Sequence, residues 1–364
     1  MGLWVARMVM SSLYFTDQIP FKDVIIHPTV MAADGKPMSK SRGNGVDPLK
    51  LMENYGADGM RFGLLMQVTG AQDLKFNENK LVSSRNFANK IRNAARFVMM
   101  NLDDYTPGNP EPVTPADRWI FSRLSRLVSS VDEAYKEYEF SDMTRELYAF
   151  FWNEFCDWYI ELSKPRLAAG GQDLVFVLDT ALRLLHPAMP FVTEQIYQDL
   201  PCEKDSQYLM MAAWPDADEL AHYIDPDAER ALAIVTQSVS GIRSIRARYG
   251  ISPKTTLDMV VKAHNVTAVD VFNEQQDLIV ALGNVNIIEV SETAEKPAES
   301  TMRLADDVEV YVILSGLVDF GAEQARLEKE IGKLEKDRVK FDKKLSNPGF
   351  LAKAAPEIIE KDRA

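Results

Sequence analysis

The sequence predicts a mainly α protein flanked by smaller α/β stretches, and three observations lead there. Apolar residues recur at helical spacing through residues 71–215. Short apolar runs bounded by turn residues, the mark of strands, are confined to residues 1–70 and 228–318. From residue 319 onward a heptad of apolar and charged positions takes over. At 364 residues the chain has room for two to three domains. Its pattern changes at three places, giving stretches 1–70, 71–227, 228–318 and 319–364.

The first stretch opens on an amphipathic helix running to about Phe15, as in a chain that starts inside a domain. The apolar run Asp23-Val-Ile-Ile-His-Pro-Thr-Val-Met31 predicts a strand, and Ala33-Asp-Gly35 a turn after it. A polar loop, Lys36 to Gly45, leads to a helix near Asp47-Pro48, where Asp is a good N-cap and Pro a good first helical residue.

In the second stretch Trp119, Leu124, Leu127, Val128, Val131 and Tyr135 mark one helix. Leu147, Phe150, Phe151, Phe155, Trp158, Tyr159 and Leu162 mark another, whose aromatic face is expected in the core. Leu174 to Leu200 is a long apolar pattern that Pro187 and Pro190 divide into two helices. Pro107 to Pro112 is a loop.

The third stretch predicts a small α/β module: a helix from Ala228 to about Tyr249, a strand over Thr255–Val261, a helix over Val266–Leu282, and strands over Asn286–Val290 and Val308–Leu314. In the fourth, Leu327, Ile331, Leu334, Arg338, Phe341 and Leu345 alternate spacings of four and three. Ser346-Asn-Pro-Gly349 ends that helix, and a second is expected near Pro356. An antiparallel hairpin needs arms of similar length to cover each other's apolar stripes. Here the second is less than half the first, so the arm reads as cut short.

Composition excludes several classes. Hydrophobic residues at 46% and charged residues at 26% exclude bulk disorder. No run of eighteen apolar residues occurs, so no membrane-spanning helix and no membrane partner is expected. Two cysteines, Cys156 and Cys202, make neither a disulfide framework nor a zinc site, so no metal site is expected and a cytoplasmic location fits. A net charge of −13 excludes a uniformly basic nucleic-acid coat. The charge is nonetheless segregated. Asp199–Glu229 carries −8 and Glu289–Glu309 −5, whereas Lys75–Met100 carries +5, Gly241–Lys254 +4 and Lys36–Lys50 +3.

The segment richest in chemistry is Gly35-Lys-Pro-Met-Ser-Lys-Ser-Arg-Gly-Asn44. Cations, hydroxyls and glycines between a strand and a helix suit a loop that wraps an anionic group. Its glycine and lysine spacing is not that of a P-loop. Met-Ser-Lys-Ser followed by x-Gly-Asn resembles the KMSKS signature of the class I aminoacyl-tRNA synthetases. Several further segments are similar to the valyl branch of that family. They are Trp4-Val-Ala-Arg-Met8, Pro20-Phe-Lys-Asp-Val24, Gly56-Ala-Asp58 with Arg61-Phe62, Gln72-Asp-Leu-Lys-Phe76, and Arg85-Asn-Phe-Ala-Asn-Lys90 with Asn93-Ala-Ala-Arg-Phe97. Trp152-Asn-Glu-Phe-Cys-Asp-Trp-Tyr159, Leu185-His-Pro-x-Met-Pro-Phe191 and the tail Leu345-Ser-Asn-Pro-Gly-Phe350 complete the resemblance, which runs through nearly the whole chain.

The resemblance implies a fold: the C-terminal remnant of a Rossmann-like catalytic domain (1–70), a helical-bundle anticodon-binding domain (71–227), a small α/β module (228–318) and a C-terminal coiled-coil arm that binds tRNA (319–364). It also implies ATP-dependent activation of valine and its transfer to valine tRNA by a monomeric full-length enzyme, with Mg2+ accompanying ATP. Lys40 would stabilise charge on the leaving pyrophosphate. Ser39 and Ser41 would orient the loop, Lys36, Met38 and Lys40 would bind ATP, and Asn44 would hold the loop's exit. Two positions depart from the family pattern: Pro37 where a lysine is usual, and Pro28 where a glycine is usual. Trp4 falls in the segment that walls the valine pocket.

The family's other half-site, His-x-Gly-His, is not formed by His27, His186, His222 or His264, so the chain alone is expected to be inactive. Two alternatives stand beside this reading: a stand-alone tRNA-binding protein derived from a class I synthetase, and an isoleucyl or leucyl relative.

For tRNA, Asn86, Lys90, Asn93 and Phe97 fall on one face of a helix spanning Arg85–Val98, and together with Arg96 they have the chemistry to read unpaired bases. Lys164 and Arg166, then Arg243, Arg246 and Arg248, are candidate phosphate contacts.

Overall fold

The computed structural model describes residues 2–68, 73–102, 105, 108–164 and 171–346. It divides into two compact units, Met1–Leu232 and Ala233–Ala364. Among the described residues no helix is long and apolar enough to cross a membrane.

The first unit opens with α1 (Gly2–Thr16), which buries none of its residues. The expected strand over Asp23–Met31 shrinks to β1 (Val30–Met31), paired in parallel with β2 (Leu74–Lys75). Among the described residues Asp23–Pro28 has no strand beside it, and Pro28 lacks the N–H a ladder needs, so apolar content alone does not make a strand there. The helix after the polar loop forms as expected. In α2 (Pro48–Tyr55) the Asp47 side chain accepts from the Leu49 N–H, with Pro48 at the first position.

Helix α3 (Ala57–Leu65) lies close against α4 (Glu78–Met99) because two glycines face it. A Cβ on Gly63 would lie 2.6 Å from Leu81 Cδ2, and one on Gly59 3.2 Å from the Arg85 amide. The core of the bundle is α5 (Pro115–Lys136), started by a reciprocal cap between Thr114 and Asp117. Against it pack α6 (Phe140–Ala149) and its continuation through a π-helical stretch, Phe150–Tyr159, into α7 (Ile160–Ser163). Phe62, Phe87, Phe151, Phe155 and Tyr159 form an aromatic spine with successive centroids 5.1, 6.0, 5.2 and 6.2 Å apart. Its polar end is satisfied, since the Tyr159 hydroxyl donates to the fully buried Asp117 carboxylate at 2.9 Å. Helices α8 (Gln172–Leu185) and α9 (Pro190–Asp199) are the two halves expected from Pro187 and Pro190, and the short α10 (Ala217–Leu220) follows.

In the second unit, helix α11 (Pro226–Tyr249), within which the division falls, leads to β3 (Leu257–Ala263), α12 (Val266–Gly283) and β4 (Val285–Ser291). Strands β5 (Ser300–Ala305) and β6 (Val308–Ile313) complete a sheet of order β4-β3-β6-β5. Strand β3 runs parallel to β4 and antiparallel to β6. The sequence reading missed β5, whose run Ser300–Ala305 is interrupted by Arg303 and shows a mixed burial pattern. Helix α13 (Phe320–Leu345) follows an Asp319 cap and buries no residue. The expected second arm near Pro356 lies outside the described residues.

Candidate ATP loop and nucleic-acid groove

The polar loop is a clasped structure. Met31 bridges Pro37, and Ala33, Asp34 and Gly35 turn the chain between them. Gly35 N–H donates to the Ala32 carbonyl at 2.8 Å, with Gly35 at φ +74°, a conformation that favours glycine. Lys40–Arg42 then forms one 3-10 turn that ends on Gly43 at φ +64°. The Asn44 side chain closes the loop from inside: its Oδ1 accepts from Ser39 N–H at 2.9 Å, and its Nδ2 donates to the Pro37 carbonyl at 3.2 Å. Pro37 therefore loses a cationic side chain and an N–H yet keeps the acceptor that the clasp uses. Ser39 and Ser41 hydroxyls lie 3.3 Å apart. Met38 is half-buried, while Lys36, Lys40 and Arg42 are exposed. The loop thus presents cations and hydroxyls to solvent on a backbone held by one asparagine, an arrangement suited to gripping a polyanion.

Trp4 on α1 is 65% exposed, with the Arg7 guanidinium 5.6 Å from its ring centroid.

The second candidate is a groove of about 440 Å³ between α4 and the helix that follows α6. From α4 come Asn86, Asn89, Lys90, Asn93 and Phe97, and from the facing helix Trp152, Cys156 and Ile160. Lys90 Nζ sits 4.3 Å from the Trp152 ring centroid and 2.5 Å from the Asp157 carboxylate, so it is oriented by one aromatic and one acid. Tyr148 stacks on Trp152 at 5.4 Å and 16°, which stiffens that wall. Phe97 is half-buried rather than in the core, with Lys164 Nζ 5.8 Å from its ring centroid. Lys164 also pairs with Glu161 at 2.6 Å. Burial pushes the Cys156 thiol up to about 12, so the groove wall is neutral there at ordinary pH.

Helical spacing on α4 had brought Asn86, Lys90, Asn93 and Phe97 together, and the structure gathers those four in the groove. Arg96 is exposed and outside the lining. The reading from spacing missed Asn89, which sits one turn before Asn93 on the same face, and it had assigned the stretch containing Trp152 to the core. The π-helical stretch separates the two roles, with Phe151, Phe155 and Tyr159 buried and Trp152 and Cys156 turned to the groove.

The arginines of the second unit divide. Arg243 and Arg248 are exposed, and the Arg248 guanidinium lies 5.4 Å from the Tyr249 ring centroid. Arg246 is 6% exposed, and its terminal nitrogens donate to the Ser252, Thr255, Gly283 and Asn284 carbonyls at 2.8, 2.7, 3.0 and 2.9 Å. Those bonds join the turn before β3 to the start of β4. The expectation of a phosphate contact does not carry over to Arg246, whose fork is spent on backbone carbonyls. Arg166 lies outside the described residues.

Residues 1–77 match the family model of class I tRNA synthetases (I, L, M and V), residues 117–261 the anticodon-binding domain of tRNA ligase, and residues 319–364 the valyl tRNA synthetase tRNA binding arm. Helix α4, one wall of the groove, lies between the first two matches. A valine–tRNA ligase of Syntrophotalea carbinolica is 41% identical over 372 residues, covering 99% of this chain and 41% of that protein. One of Geobacter sulfurreducens is 38% identical, covering 99% of this chain and 42% of that protein. The chain thus spans about two fifths of the length of the curated relatives it matches. A solved ternary complex of Agrobacterium radiobacter K84 LeuRS with tRNA and LeuAMS shares the fold, with a TM-score of 0.50 and 19% identity over 60% of this chain and 26% of that one. With loop, bundle and arm matched in that order and relatives aligned to nearly every residue, the chain is similar over almost its whole length to part of the valyl-tRNA synthetases of class I.

Proposed function

We propose that this chain is the C-terminal part of a valine–tRNA ligase, and that it supplies the activation loop and the tRNA-binding surfaces of that enzyme. The observation that carries the reading is the groove between α4 and the helix after α6. Unpaired bases are read by stacking on aromatic faces and by hydrogen bonds to their edges. Trp152 and Phe97 offer the faces, and Asn86, Asn89 and Asn93 offer amides that both donate and accept. Lys90 adds charge for the backbone. Valine tRNA is the proposed partner, with its anticodon in this groove and Arg243 and Arg248 on its phosphates. The domain division proposed is 1–70, 71–227, 228–318 and 319–364, the last being the arm.

In the full-length monomeric, cytoplasmic enzyme the loop closes over ATP, bound with Mg2+, while valine is activated. Lys40 faces the leaving pyrophosphate, where charge develops, and Ser39, Ser41 and Asn44 hold the loop's shape, with Lys36 and Met38 against the nucleotide. Trp4 contributes to the valine pocket. An apolar pocket binds a small branched side chain with modest selectivity.

A gel-shift titration with a valine tRNA transcript, against the same transcript with its anticodon exchanged, tests the reading. Binding at least tenfold weaker to the exchanged transcript is expected, and equal affinity removes the groove from anticodon reading. Valine-dependent ATP–pyrophosphate exchange is expected from the full-length enzyme only. Exchange by this chain alone overturns the assignment of activity to the longer protein.

A further inference from the structure

We propose that Lys75 is a phosphate-binding residue of the activation loop and supplies the cation that position 37 lacks. The inference rests on the reading of the loop as a triphosphate clamp and adds a residue to it from a different segment of the chain. Met31 is paired on both sides: with Lys75 across the parallel β1–β2 ladder and with Pro37 across the bridge that closes the loop. Laterally paired residues send their side chains to the same face of a sheet, with neighbouring strands about 4.8 Å apart. Lys75 and Pro37 therefore stand on one face, two strand positions from each other. A lysine at 37 and the lysine at 75 would address the same space.

The Lys75 stem leans toward the loop rather than away from it. A Cβ built on Gly35 would lie 2.9 Å from Lys75 Cε and 3.6 Å from Nζ, so the turn carries a glycine where the lysine passes over it. The ammonium is exposed and, among the described residues, forms no ion pair or side-chain hydrogen bond. The nearby acids are occupied by backbone amides: Asp34 Oδ1 accepts from Lys36 N–H at 3.0 Å, and Asp73 Oδ1 from Thr29 N–H at 3.1 Å. The loop beside it exposes three further cations, Lys36, Lys40 and Arg42. Exposed cations on one loop and on the strand beside it attract a polyanion, and a triphosphate is the polyanion the loop's chemistry takes. Position 37 thus carries no cationic side chain while its carbonyl stays in the Asn44 clasp, and the cation arrives from β2.

The test titrates the chain with inorganic tripolyphosphate at fixed salt and reads affinity by calorimetry. Lys75→Met keeps the aliphatic stem over Gly35 and removes the charge. Binding about tenfold weaker is expected for it, comparable to Lys40→Ala. Lys75→Arg is expected within about threefold of the unaltered chain, and Lys254→Met, on the second unit, unchanged. If Lys40→Ala weakens binding and Lys75→Met does not, Lys75 is no phosphate ligand and the loop reading survives. If neither substitution matters, or the unaltered chain does not bind, both fall. Unchanged circular dichroism of Lys75→Met keeps a loss of binding from being a loss of fold.

Discussion

Asp58 and Arg61, one turn apart on α3, hold the two sides of a single helix corner. The Asp58 carboxylate accepts from Phe191 N–H at 3.1 Å and Val192 N–H at 2.7 Å, at the start of α9. The Arg61 guanidinium donates to the Pro187 and Ala188 carbonyls at 2.9 and 3.4 Å, just past the end of α8. An anion meets the positive end of one helix and a cation the negative end of the other. Asp58 is 7% exposed, so its removal leaves a buried donor on Val192 and a part-buried one on Phe191 without a partner. Asp58→Ala is expected to destabilise the first unit by about 2–3 kcal/mol, read from the urea midpoint. A loss below about 0.5 kcal/mol would show that water replaces the carboxylate at no cost.

The same corner carries a pH dependence. Thr193 Oγ1 donates to the Met189 carbonyl and lies 2.8 Å from His186 Nδ1, from which it accepts. Among the described residues, His186 Nε2 is buried without a hydrogen-bond partner. Burial lowers the His186 pKa from 6.5, against the opposing charges of Glu194 and Asp58. The unfolded chain therefore takes up a proton that the folded one refuses. Stability is complete above about pH 6.5 and falls as pH drops through the interval down to the lowered folded value. Urea midpoints at pH 7.5 and 5.5 are expected to differ less for His186→Gln than for the unaltered chain. Equal slopes would assign the acid sensitivity to other groups.

Arg246 and Arg248 are two residues apart and are expected to fail differently. Arg246→Met strands four carbonyls, two in the turn before β3 and two at the junction of α12 with β4, and a loss of about 3 kcal/mol in the second unit is expected. Arg248→Ala is expected to leave stability within about 0.5 kcal/mol and to weaken tRNA binding with a shallower salt dependence. Gel shifts at two salt concentrations beside a denaturation curve separate the two. Full stability of Arg246→Met would remove its structural role.

In the groove, Trp152→Ala is expected to weaken binding of valine tRNA by about 1–3 kcal/mol, five- to hundredfold, if a base stacks there. The comparison that isolates stacking is Trp152→Phe, which keeps a ring and is expected to retain most of the affinity. Equal losses for both substitutions would point to repacking against Tyr148 rather than to a base.

The two thiols offer a check on burial itself. Burial raises Cys156 to about 12 and Cys202 to about 11. At pH 8 a thiol near 12 is ionised in only about one molecule in ten thousand, against about a quarter for a free cysteine. Ellman's reagent is expected to label the native chain far more slowly than the urea-unfolded one, with Cys156 last. Rapid labelling of native Cys156 would mean that the groove opens.

The sequence by itself determined the helices and much of what their ends look like. Asp47-Pro48, Pro187 with Pro190, and the recurrences through α5 and α12 are local signals, because a helix satisfies its own backbone and shows its buried face at a fixed period. The loop was legible as a motif for the same reason: its residues are contiguous. Strands were less so. Asp23–Pro28 has the composition of a strand and, among the described residues, no strand beside it, and β5 has a partner and little composition. A strand is completed by another segment, which no window of sequence contains.

The tertiary structure alone decided what the polar residues do. Lys90 and Trp152 come from helices some sixty residues apart, and only packing turns them into one wall-and-charge pair. Arg246 reads as one of three exposed arginines until four carbonyls from two distant turns surround it. Lys75 reads as a surface lysine until the pairing of Met31 on both sides sets it on the face of Pro37. Helix periodicity is written in neighbours three and four residues away. A side chain's hydrogen bonds, burial and charge partners are set by atoms that are close in space and far along the chain.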